Sequence, residues 1–249
     1  GESSDGSVEL LLKHAQDIDI LVIEKDAGIY SAMNKGVRYA KGEYCLFLNS
    51  GDIFVHNHVI ELILNANLEC DVHGFALIHT REGNRFVKFP AKEINLRTFV
   101  SSGILHPSTV CRTECFLKYT TFDEGLRIIS DWKLLLEWLI IYKGSYRYHD
   151  IIITEFDAND GVSSTQLQTE IAQMEQILEQ LFPRVIVNYH FKERNKFEFY
   201  YNLYVQIQGT AFERCCVFPI VRLLHYIVGG RKNAQDMVRI EKLSKYRKL

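Results

Sequence analysis

Residues 24–54 read EKDAGIYSAMNKGVRYAKGEYCLFLNSGDIF, and the reading of this stretch decides the fold. Ile29, Met33, Val37 and Ala40 repeat at helical spacing, which predicts an amphipathic helix stopped by Gly42. Tyr44-Cys45-Leu46-Phe47-Leu48 follows as a short, nearly all-apolar run, the pattern of a strand covered on both faces. Asn49-Ser50-Gly51-Asp52 comes directly after it. In open α/β sheets ligands bind in the crevice beyond the carboxyl ends of strands, so Asp52 stands where a metal or phosphate site is expected.

Working outward, residues 7–15 read as a helix with Ser7 as N-cap and Leu10, Leu11 and Leu12 as its apolar side. Residues 18–24 read as a strand, 58–66 as a helix and 71–79 as extended chain. Arg81-Glu82-Gly83-Asn84 is a hairpin-like turn into residues 85–89. A short helix is expected over 93–99, a strand over 109–112 and a helix over 113–119. Ser130 can cap a helix reaching Tyr142, with Leu135, Trp138, Leu139 and Tyr142 on its buried side. Two strands are expected at 146–149 and 151–156. Strands and helices alternate first and antiparallel pieces follow, which predicts an α/β fold built on a mixed sheet flanked by helices.

Composition narrows the function classes. The chain has 249 residues, enough for one substantial domain with an appendage. A formal net charge of −2 gives no electrostatic ground for a nucleic-acid partner. Cysteines 45, 70, 111, 115, 215 and 216 show no C-x-x-C or metal-finger spacing, so buried reduced thiols and a cytoplasmic setting are expected. No apolar run reaches the length of about 18 residues that a membrane span needs.

With these residues in view, the chain resembles glycosyltransferase family 2, the inverting enzymes of the GT-A (Rossmann-like) fold that use nucleotide-sugar donors. In that family a helix like Asp26-Ala27-Gly28-Ile29-Tyr30-Ser31-Ala32-Met33-Asn34-Lys35-Gly36 precedes a strand ending in an Asp-x-Asp motif. The equivalent here is Ser50-Gly51-Asp52, with Ser in place of the first Asp. Leu105-His106-Pro107-Ser108, Phe122-Asp123-Glu124, Ser130-Asp131-Trp132 and Gly161-Val162-Ser163-Ser164 match further motifs in the family's order. The resemblance covers residues 1–164 as the core domain and leaves 165–249 as a C-terminal helical extension. Gly1-Glu2-Ser3-Ser4-Asp5-Gly6-Ser7 resembles the loop after the family's second strand, so the first β-α-β segment is expected to be missing from this chain.

The resemblance implies transfer of a sugar from a nucleotide-sugar donor to a glycan or polyprenyl-lipid-linked acceptor, with inversion, in bacterial surface polysaccharide synthesis. It also implies a divalent cation, Mg²⁺ or Mn²⁺, with Asp52 as its ligand. One or two carboxylates suffice for such a cation, because the diphosphate and water supply the remaining ligands. Asp52 could equally cap the following helix. Asp131 is the implied general base, and a helix N-terminus favours the ionised form that a base requires. Its alternative is ordinary helix-start chemistry. Asp26, Gly28, Asn34 and Ser50 are implied donor contacts, against a turn Asp, a permissive glycine and surface polar groups. His106, Trp132 and Gly161 are implied on the acceptor and loop side, against a structural loop His, a core Trp and a plain turn.

Beyond Ser164 the pattern turns helical, with Leu167, Ile171, Met174, Ile177 and Leu181 in one stripe ended by Pro183. Residues 217–249 carry eight Lys/Arg against two acids beside Phe218, Ile220, Leu223, Leu224, Tyr226 and Ile227. This pattern suits either peripheral contact with the inner face of a membrane or a packed helix with a solvated tail. Two rival functions stay open: a catalytically silent relative that binds a nucleotide or partner, and a nucleotidyltransferase.

Overall fold

The computed structural model describes residues 2–101, 104–159 and 167–187. The elements run α1 (Ser7–Lys13), α2 (Ile29–Tyr39), β1 (Tyr44–Leu46), β2 (Ile53–Phe54), α3 (Val59–Leu64), β3 (Val72–Arg81) and β4 (Asn84–Lys88). They continue with α4 (Leu96–Ser101), β5 (Thr109–Arg112), α5 (Cys115–Lys118), α6 (Ser130–Leu136), β6 (Tyr146–Asp157) and α7 (Leu167–Leu181). Together they make the mixed α/β sheet with flanking helices that the sequence predicts.

The sheet order is β1-β5-β3-β6-β2, with β4 paired to β3 off that path. β3 is the spine. Its first half pairs antiparallel with β5, its second half antiparallel with β4, and its whole length parallel with β6. The central residues Phe75, Ala76 and Leu77 are buried, as befits a strand inside the sheet. β3 turns into β4 through Glu82 (φ 50°) and Gly83 (φ 75°), the two positive-φ residues of a type I′ hairpin.

Several expectations change in detail. The two strands expected at 146–149 and 151–156 are one continuous strand, β6, whose register against β3 slips between Gly74 and Leu77. The slip absorbs extra residues as a bulge, so sequence alternation breaks while pairing continues. The predicted strand at 18–24 runs extended but joins no ladder among the described residues, and Ile20 and Val22 are exposed. Leu10, Leu11 and Leu12 are exposed too, so the expected apolar side of α1 packs on nothing described. Ser7 is the first residue of α1 rather than its cap, and its backbone N–H donates to Asp5 Oδ1. In α2 the buried face is rotated from the expected stripe. Tyr30, Ser31, Met33 and Asn34 are buried, whereas Ile29 is exposed.

The helix expected to reach Tyr142 ends its α-helical part at Leu136 and passes into a π-helical turn, Glu137–Ile141. Tyr142 N–H donates to Glu137 O, and Tyr142 lies exposed rather than on the buried side. The larger core joins α2, α6, this turn and α7 around Phe99, Phe116, Phe122 and Trp138. Met174, Ile177 and Leu178 belong to it, so α7 packs into the core and the first compact unit runs Gly1–Phe191. Residues 192–249, including the basic carboxyl end, lie outside the described residues. No helix among the described residues is long and apolar enough to cross a membrane.

Candidate functional site

β1 delivers the chain into the turn that carries Asp52. Asp52 N–H donates to Asn49 O, and Asn49 N–H returns a bond to Asp52 Oδ2 at 3.1 Å. Gly51 at φ 95° makes this reciprocal turn possible, since that backbone region penalises any Cβ. Desolvation raises the Asp52 carboxyl above its ordinary range, opposed by the Asn49 N–H and by the nearby His106. A half-buried carboxyl at a strand mouth gains from a positive charge, so Asp52 fits a divalent cation as a single protein ligand. Ser50 is exposed beside it. Among the described residues no cluster of three or more His, Cys, Asp or Glu is arranged around a metal position.

His106 opens a short 3₁₀ turn, His106–Ser108, with Pro107 in its first turn. Its ring stacks on Phe47 at 5.8 Å and meets Phe122 edge-on at 6.3 Å. Nε2 of His106 is buried and unpartnered. A buried ring nitrogen without a partner is costly, which marks this position as one that a ligand or water would complete.

Phe122 continues the aromatic cluster. It meets Phe47 at 5.3 Å and stacks on Tyr30 at 5.8 Å with an 18° interplanar angle. Tyr30 Oη then donates to Asp131 Oδ1 at 2.9 Å across 101 residues of sequence. Asp131 therefore joins the aromatic cluster Phe47–His106–Phe122–Tyr30 through Tyr30, and Asp52 lies near its His106 member. Asp131 lies in the first turn of α6, preceded by Ile129 at φ 56°. A β-branched residue in the left-handed region is strained, and such strain concentrates where a side chain must be aimed.

The loop bearing Phe122 is clamped. Asn34 Nδ2 donates to Phe122 O and to Glu124 Oε1, both at 2.9 Å, and Asn34 Oδ1 accepts from Phe122 N–H at 3.0 Å. Asn34 is buried, and these bonds make it a clamp on the loop. Trp132 is buried, donates from Nε1 to Phe99 O at 3.0 Å, and meets the Phe99 ring edge-on. Lys133 pairs with Asp123 at 2.6 Å on the far side of the same loop.

Asp26 lies apart from the aromatic cluster, at the mouth of a cleft of about 810 Å³ between residues 19–26 and α2. Lys35 Nζ bridges Asp26 Oδ1 and Glu24 Oε1, each at 2.7 Å. That hydrogen bond from Lys35 holds the Asp26 carboxyl below its usual range. Gly28 caps α2 at φ 150°, a conformation open almost only to glycine, with open space where a Cβ would stand. Gly161 lies outside the described residues. Sequence reasoning missed Tyr30, although its i,i+4 spacing to Asn34 puts both on one face of α2.

A curled mixed sheet flanked by helices is the GT-A type of α/β fold. Residues 1–116 match the family model Glycosyl transferase family 2. No curated protein matches the chain. Among solved structures it is similar to the crystal structure of S. aureus TarS 1-349 in complex with UDP, with 14% identity and a TM-score of 0.55. That similarity covers 85% of this chain and 65% of the other. A crystal structure of S. aureus TarS gives a TM-score of 0.54 at 15% identity, covering 85% of this chain and 37% of that one. The chain therefore spans less than two thirds of the length of each of these neighbours.

Proposed function

We propose that the chain transfers a sugar from a nucleotide-sugar donor to a glycan or polyprenyl-lipid-linked acceptor, with inversion, in bacterial surface polysaccharide synthesis. The observation that carries this reading is the convergence of Asp52 and Asp131 on one aromatic cluster. Inverting transfer is one displacement at the anomeric carbon, and it needs a stabilised diphosphate on one face and a base on the other. Asp131 takes the acceptor hydroxyl proton. Asp52 would hold Mg²⁺ or Mn²⁺, which when bound neutralises charge on the departing diphosphate. Asp26, Gly28 and Ser50 line the donor side, and the unpartnered His106 Nε2 faces a substrate oxygen. The reaction takes place on the cytoplasmic side, where sugar nucleotides and reduced thiols coexist; the four described cysteines are free. One of the similar TarS structures is a complex with UDP, which supports a nucleotide-sugar donor.

The decisive experiment replaces Asp131 by Asn in the full chain. Transfer falls by at least about 100-fold, the usual worth of a general base, while nucleotide binding by calorimetry survives. Turnover equal to wild type removes Asp131 from the base role. A wild-type chain that binds nucleotide but releases no diphosphate with any acceptor would instead favour the silent binding module.

A further inference from the structure

The start of α6 has no side chain of its own to cap it: Ile129 stands at the N-cap position in a left-handed conformation. The phenol of Tyr30, delivered from α2, reaches the first turn of α6, where its O–H donates to Asp131 Oδ1. Burial first, and then the Asp131 charge, push the phenol above its ordinary range, so at neutral pH it is a neutral donor.

The ring cannot turn away. Tyr30 is 8% exposed and stacks on Phe122, which Asn34 clamps through both backbone atoms. The charged groups of the surrounding elements are engaged elsewhere. Lys133 pairs with Asp123 and approaches Glu137, Lys35 pairs with Asp26 and Glu24, and Glu124 takes the Asn34 amide. The donor that reaches Asp131 Oδ1 is therefore a phenol and not a cation. This matters chemically. A Lys or Arg in the same place would stabilise the carboxylate so strongly that it became a poor proton acceptor, whereas a phenol fixes its direction and favours the charged form more gently.

We propose that Tyr30 is the positioning residue of the candidate base: by engaging Oδ1 from a rigidly packed phenol, it fixes the Asp131 carboxylate and leaves the other oxygen, Oδ2, for a substrate hydroxyl. The assignment of that hydroxyl rests on the proposed function, but the phenol–carboxylate coupling does not.

The test reads the carboxyl directly. In full chain labelled with ¹³Cγ-aspartate, the Asp131 signal is identified by its loss in Asp131→Asn and its chemical shift is read by NMR at one fixed pH. In Tyr30→Phe that signal moves from its wild-type position, because the carboxyl has lost a hydrogen-bond donor, while the Asp52 signal stays in place. Replacing Tyr30 by 3,5-difluorotyrosine keeps the ring and its packing but strengthens the donor, so the Asp131 signal moves the opposite way; this arm stands even if Tyr30→Phe fails to fold. Superimposable Asp131 signals in wild type and the fluorinated protein overturn the proposal. An Asp131 signal that responds to Tyr30 in a chain whose Asp131→Asn variant turns over normally confirms the latch and removes the base.

Discussion

His73 Nδ1 lies 2.9 Å from His149 Nε2, a hydrogen bond between neighbouring strands β3 and β6. Cys70 N–H donates to His73 Nε2 at 3.0 Å, so His73 must carry its proton on Nδ1 and give it to His149. His149 in turn stacks on Phe75 with ring centroids 4.4 Å apart. Both rings must be neutral for this arrangement to hold, since a proton on His149 Nε2 would set two donors against each other.

The first prediction is an acid-sensitive fold. Burial, then the neighbouring His149, bring His73 down to about 4 from its ordinary value, and burial lowers His149 as well. Above the ordinary imidazole range neither state binds the proton and stability is full. Between that range and about 4 the unfolded chain binds a proton that the folded chain refuses, so stability falls as pH falls. The loss attributable to His73 is up to about 3 kcal/mol. Urea denaturation at pH 7 and pH 4.5 measures it. His73→Gln keeps an acceptor for Cys70 and does not titrate, so it reduces the difference between the two pH values, while His79, lowered to about 4 by burial, keeps its own share; an equally steep loss in that variant contradicts the assignment.

Asp52 gives a second pH dependence, in binding. Its carboxyl is raised by desolvation, and only the ionised form can hold a cation. Mn²⁺-dependent binding of UDP, followed by calorimetry, therefore weakens as pH falls through a range above that of an ordinary aspartate. Asp52→Ala eliminates the metal-dependent part altogether. Equal Mn²⁺-dependent affinity in the variant would contradict the ligand role.

The clamp at Asn34 predicts a coupled loss of stability and loop position. Asn34→Leu removes three hydrogen bonds and leaves the buried Phe122 N–H and C=O without partners. Each buried orphan costs about 1–3 kcal/mol, so a loss of about 2–6 kcal/mol is expected in denaturant unfolding. Phe122 also loses its fixed stacking on Tyr30, so near-UV circular dichroism weakens at temperatures where the variant is still folded. A variant as stable as wild type, with an unchanged aromatic spectrum, would show that the clamp is dispensable.

These residues also mark what the sequence could disclose. The run from α2 to Asp52 is legible because helix, stop, apolar strand and polar turn are neighbours in the chain, and each is set by local rules. The β3–β4 hairpin is legible for the same reason, since Glu82-Gly83 meets the positive-φ demand on the spot. The role of Asn34 is not legible, because its partners lie 88 and 90 residues away. Trp132 reads equally as a sugar platform or as core until Phe99 O is found opposite its N–H. Ile29 outweighs Tyr30 in the sequence because an apolar count ranks a branched aliphatic above a phenol. Only the tertiary partner Asp131 reveals which of the two faces inward.

Gly74 supplies the last prediction, at the point where the register of β3 against β6 begins to slip. A Cβ here would collide with Tyr146 Oη and come within 3.0 Å of Pro90 Cβ. Tyr146 cannot simply yield, because Oη donates to Ala91 O at 2.7 Å and ties the segment before α4 to the sheet. Gly74→Ala therefore overpacks a buried junction and destabilises by about 1–3 kcal/mol. Tyr146→Phe alone loses the bond to Ala91, typically about 1 kcal/mol. Combined, the two are less costly than their sum, since removing the hydroxyl also removes the atom in closest conflict. Strict additivity in urea unfolding of the single and double variants would place the added methyl somewhere other than against Tyr146.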